Sequence, residues 1–335
     1  MPDSAEVMAV AKAFAYIGAI AVFALLVAAP RLQRVHLPPQ RQYAAAWNGW
    51  VCLFVFLVFT VPPEVIADIL ASCGVGPASD PMVAAVYRRC MAKIIALPLQ
   101  IATCIVVMAY LNVPAYRLRF GPLRRTVTVG VLGWIGITAA TYLVNLVTFS
   151  LFHLFTGRPP DEHPILRTLL TDNAIGFAWI LVAESCLIAP LREELLFRGL
   201  IQPRLAQHEN GGFLGIALAV LAGFALGGTK GGLPSVAFAL CVTPILSATT
   251  HLANRGPTWL LPLVATESRR RAAGAIVGTA TLFANFHAAV WPTPIPLFVF
   301  GLGVGWLAFR TQSLGPSLVV HVLFNSVATA SILLR

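Results

Sequence analysis

A chain of 335 residues that is 58% hydrophobic and only 11% charged, with a mean hydropathy of +0.81, is not a water-soluble domain. Its formal net charge of +10 lies in short arginine clusters between apolar runs, the pattern of cytoplasmic loops, which excludes nucleic acid as the partner. The apolar runs lack period-2 alternation, so a barrel is excluded; the fold class is all-α, a polytopic transmembrane helix bundle of about eight to ten spans.

In chain order, the first four expected spans are 8–29, 46–66, 91–113 and 127–155, forming a front region, 1–156. The first run is too long for a signal-peptide core and reads as a retained span. Pro159, Pro160, Asp161, Glu162 and Pro164 then mark a composition shift. A fifth span runs from 174 to 190 and continues helically past Glu193. Two shorter runs, 212–227 and 234–252, flank a Gly-rich turn and are candidates for re-entrant segments. The last three expected spans are 272–290, 295–309 and 315–334. With the N-terminus outside, the arginine clusters at Arg31 to Arg41, Arg117 to Arg125, Arg192 to Arg204 and Arg255 to Arg271 all fall inside. The protein is therefore expected to be a multi-pass protein of the plasma membrane. None of the six cysteines forms a CxxC pair and no redox role is inferred; Cys73 and Cys90, which share one connecting segment, are candidates for a disulfide only if that segment faces an oxidising compartment.

The charges in the fifth span are the most informative. Ionisable residues in hydrocarbon cost several kcal/mol unless paired, so Glu193, Glu194 and Arg198 default to a functional hypothesis. At about 100° per residue, Glu194 and Arg198 stand at i, i+4 and pair, while Glu193 points away and stays available. Glu184, nine residues earlier, falls on the opposite side and reads as a packing partner. Two later runs carry Phe283 with His287 and His321 with Asn325, each pair again at i, i+4 on one helix face. A carboxylate, two imidazoles and a carboxamide provide what peptide hydrolysis needs: a base for water, a group to position it and donors for the oxyanion.

EExxxR at Glu193 to Arg198, FxxxH at Phe283 to His287 and HxxxN at His321 to Asn325 together resemble the three motifs of the CPBP family. These are intramembrane glutamic endopeptidases that include the type II CAAX prenyl proteases. The resemblance covers 174–335, with an apparent insertion near 212–252, and leaves out the front spans. It implies that Glu193 activates water, His287 helps hold it, and His321 with Asn325 stabilises the oxyanion. Glu194, Arg198 and Phe283 are supporting residues. The implied substrate is a peptide or protein, lipidated or membrane-bound, and no cofactor is implied. HExxH is absent, which disfavours a zinc protease, although Glu193, Glu194, His287 and His321 are oxygen and nitrogen donors. Two readings of other classes stay open: a non-catalytic membrane scaffold or bacteriocin-immunity-type protein, and a proton-coupled transporter. In a ten-span arrangement Glu193 and His321 lie toward the inside and His287 toward the outside. The three meet only if the helices tilt and the site sits part-way down the membrane.

Overall fold

The computed structural model describes residues 49–76, 80–110, 122–158, 168, 178–255 and 266–333, and every regular element among them is helical. The expected span 8–29 lies outside these residues. The front region contributes α1 (Gly49–Ser72), α2 (Pro81–Tyr110) and α3 (Leu123–Thr156). Both α1 and α2 overrun the apolar stretches that announced them, because α1 carries on past residue 66 to Ser72 and α2 begins ten residues before Met91. Cys73 and Cys90 are both free thiols, so the candidate disulfide is not formed.

The fifth expected span is the helical stretch 178–205, α4, and it does continue past Glu193. The two uncertain runs are helices α5 (Gly211–Leu226) and α6 (Gly228–Arg255). Then follow α7 (Thr266–Asn285), α8 (Pro294–Thr311) and α9 (Leu314–Leu333). Among the described residues, 6 helices are long and apolar enough to cross a membrane: α1, α2, α3, α6, α8 and α9. The expected total of eight to ten needs more than these. α4 falls short because it carries Arg192, Glu193, Glu194 and Arg198, and α7 because it opens with Arg269, Arg270 and Arg271. With 16 residues, α5 is shorter than the roughly 20 that cross a bilayer upright.

Packing places α7 at the centre of the rear half, against α5, α6 and α8, while α3 lies along α8 and α9. The seam between α5 and α7 depends on small residues: a Cβ on Gly215 would stand 2.6 Å from the backbone of Gly278, so the two helices touch main chain to main chain. α4 runs between α9 and the α1–α2 pair, and thereby joins the two halves. Large apolar side chains such as Trp50, Leu154, Phe155 and Phe224 face outward, as lipid requires, whereas Phe197, Phe283 and Phe300 are fully buried.

Candidate active site

The helix bearing the paired glutamates is not a uniform α-helix. It alternates: Ala178–Ala183 is α, Glu184–Ile188 is π, Ala189–Glu193 is α, Glu194–Ile201 is π and Gln202–Leu205 is α. The cause is legible in the chain. Each π stretch ends two residues before a proline, Pro190 or Pro203, which has no N–H to donate and whose ring clashes with the carbonyl four residues back. Widening the turn relieves that clash, and the Ala189 and Gln202 N–H groups reach the carbonyls of Glu184 and Phe197, five residues back.

The second π stretch holds the charges. Arg198 Nη1 donates to Glu194 Oε1 at 3.1 Å, as the i, i+4 spacing predicts, and both side chains are buried. Arg198 Nη2 reaches the Gly301 carbonyl on α8 at 3.4 Å, and its guanidinium lies 4.6 Å from the Phe283 ring centre. Breaking such a buried pair from one side typically costs about 3–5 kcal/mol, since the remaining charge is stranded. Glu194 Oε1 also meets His321 Nδ1 at 2.9 Å. The other ring nitrogen, Nε2, faces Glu193 Oε2 at 3.5 Å. His321 thus stands between the two glutamates, and its ring is packed edge-on against Phe283 and Phe300. The glutamates differ in access: the Glu194 side chain is 1% exposed and that of Glu193 27%.

Glu193, His321, Asn325, His287 and Phe283 all line one cavity of about 430 Å³. Glu194 and Arg198 stand behind it and hold His321. Asn325 donates through Nδ2 to the Ser185 carbonyl of the first π stretch at 2.8 Å. His287 departs from its sequence placement. α7 ends at Asn285, and His287 sits in the turn that follows, with Nδ1 3.1 Å from the Phe283 carbonyl and its ring 5.2 Å from the Phe283 ring. Leaving the helix is what lets His287 join residues carried by α4 and α9 in one cavity.

Some cavity residues were not assigned to the site by the sequence. Glu184 lines the same cavity as Glu193, because the π stretch Glu184–Ile188 between them adds residues without adding rotation at the α-helical rate. The opposite-side placement is therefore corrected, while the packing role holds: Lys93 Nζ lies 3.0 Å from Glu184 Oε1. Phe59, Thr60 and Lys93, from α1 and α2, line the cavity as well. A lysine and a glutamine inside the apolar run of α2 were the available signals. Among the described residues no group of three or more His, Cys, Asp or Glu side chains is disposed to hold a metal ion.

Apolar faces turned outward and ionisable side chains gathered around an inner cavity define an integral membrane protein with a polar site inside its helix bundle. Within that class, the family model of Rce1-like type II CAAX prenyl endopeptidases matches residues 174–266 and 255–327 of the chain. That match spans all three motifs, runs through 212–252 and leaves α1, α2 and α3 outside. No curated protein and no solved structure matches the chain.

Proposed function

We propose that the protein is an intramembrane endopeptidase of the plasma membrane that hydrolyses a peptide bond of a lipidated or otherwise membrane-bound substrate. The match to the Rce1-like family model points to a peptidase. The observation that carries the glutamic mechanism is the placement of His321, braced at Nδ1 by the buried Glu194–Arg198 pair and turned at Nε2 toward Glu193 at the cavity wall.

In this mechanism Glu193 takes a proton from a water that it holds together with His287. The resulting hydroxide attacks the scissile carbonyl carbon, and the carbonyl oxygen takes up the negative charge. His321 and Asn325 donate to that oxygen. Asn325 spends one Nδ2 hydrogen on Ser185 and keeps the second for the substrate. His321 is held at Nδ1 by Glu194, which turns Nε2 toward the cavity and the oxygen it serves. Protonated Glu193 then returns its proton to the leaving amine. The cavity walls contributed by Phe59, Phe286, Phe300 and Phe324 suit apolar substrate side chains, and its volume falls in the range of about 300–1,000 Å³ that encloses a ligand.

The test compares peptides accumulating in membranes that hold wild-type protein with those holding Glu193→Gln. The amide keeps the shape and removes the base, so cleavage should disappear while the protein stays folded. Equal cleavage by the two would sink the mechanism.

A further inference from the structure

The tandem prolines of α1 do something specific to the motif helix. In an unbroken α-helix the N–H groups of residues 62 and 63 would donate to the carbonyls of Val58 and Phe59. Pro62 and Pro63 have no N–H, so both carbonyls lose their helical partners inside the bundle, where an unpaired carbonyl is costly. Two side chains from other helices take their place. Gln100 of α2, itself fully buried, donates through Nε2 to the Phe59 carbonyl at 3.3 Å and also reaches Val58 at 3.5 Å. Arg192 of α4 donates through Nη2 to the same Phe59 carbonyl at 2.8 Å and through Nε to Gln100 Oε1 at 2.7 Å.

Arg192, Gln100 and the Phe59 carbonyl therefore form a closed ring of hydrogen bonds that joins three helices. Arg192 is the residue immediately before Glu193, and Glu184, Glu193 and Glu64 all lie within electrostatic reach of its guanidinium. Arg192 also lines the cavity, as do Phe59 and Thr60. The family match covers Arg192 but neither of the helices to which it is anchored.

We propose that Arg192 is a positioning residue: its two-point attachment to the proline-freed Phe59 carbonyl and to Gln100 fixes the place of Glu193 on the cavity wall, and so makes α1 and α2 part of the catalytic apparatus. The arginine fork suits this task, because two divergent N–H groups set a direction as well as a distance, which a lysine ammonium does not. The inference rests on Glu193 being the base, and misplacing a reacting group by about 1 Å can cost roughly a hundredfold in rate.

Two variants separate positioning from packing. Pro63→Ala restores an N–H directed at the Phe59 carbonyl and so competes with Arg192 while improving the helix; Arg192→Lys keeps the charge and removes the fork. The primary measurement is the rate at which a membrane-permeant carbodiimide modifies Glu193, read by mass spectrometry of the peptide that contains it. Thermal stability is measured in parallel, and kcat and KM wherever a cleaved peptide is in hand. The expected result is a severalfold change of Glu193 labelling in both variants, no loss of thermal stability in Pro63→Ala, and kcat lowered roughly ten- to a hundredfold with KM little changed. Wild-type labelling rates in both variants overturn the proposal. If Pro63→Ala does not fold, Arg192→Lys decides alone. A wild-type protein that cleaves no membrane peptide would count against the proposed function, and the labelling comparison would still decide whether Arg192 places Glu193.

Discussion

At the scale of single residues, adjacent glutamates of identical chemistry have opposite surroundings. Glu194 is enclosed by Arg198 and His321, and Glu193 opens on the cavity. The i, i+4 spacing foretold the Glu194–Arg198 pair, because that geometry is local. It did not foretell that His321 would bridge both carboxylates, since that contact joins residues more than a hundred positions apart. Asn325 provides the sharper test of the oxyanion assignment. A donor that acts on charge present only in the transition state affects turnover and leaves ground-state binding alone. Asn325→Ala should therefore lower kcat by roughly a hundred- to a thousandfold with little change in KM. The competing role is structural, through the bond to Ser185. It predicts reduced thermal stability with normal turnover in the folded fraction, and that result would remove Asn325 from the mechanism.

At the scale of elements, helix identity and order were readable from the apolar runs, and helix character was not. A constant 100° per residue puts Glu184 and Glu193 on opposite sides. Pro190 carried the correction, since it goes with a wide turn just before it, Glu184–Ile188, and a widened turn carries every later side chain around the helix axis. The end of α7 was likewise hidden: the apolar pattern runs to residue 290, whereas the helix stops at Asn285 and the chain turns. Asn285 explains part of this, because its buried Nδ2 donates to the Ala219 carbonyl on α5 at 2.8 Å and to the Ser235 carbonyl on α6 at 3.1 Å. The end of α7 is thus tied to the hairpin that sequence spacing alone set apart as an insertion. The glycine seam below it supplies a prediction. A Cβ on Gly278 would stand 2.6 Å from the Gly212 carbonyl, so Gly278→Leu must push α5 off α7. Overpacking of this kind typically costs about 1–3 kcal/mol, to be read as a lowered unfolding temperature in detergent. An unchanged unfolding temperature would show that the seam is looser than the backbone contact implies.

At the scale of the whole molecule, charge distribution and structure bear on different questions. The structure fixes which helices pack together; the arginine clusters speak to which face of the membrane they meet. With the N-terminus outside, the second expected span runs outward, and the turn between α1 and α2 stands on the outer surface. That turn holds Cys73, an exposed free thiol just beyond the end of α1. Cys241 is exposed as well, but it lies within the apolar stretch Gly231–Ala248 of α6, where the neighbour is lipid. A thiol facing hydrocarbon does not meet a charged reagent, so exposure to solvent and exposure to lipid become separable by chemistry. A membrane-impermeant maleimide added to intact cells should therefore modify Cys73 and spare Cys241. Modification of Cys73 only after the membrane is opened would invert the orientation. It would also place the cluster Arg192 to Arg204 on the outer side, against the charge asymmetry from which the orientation was drawn.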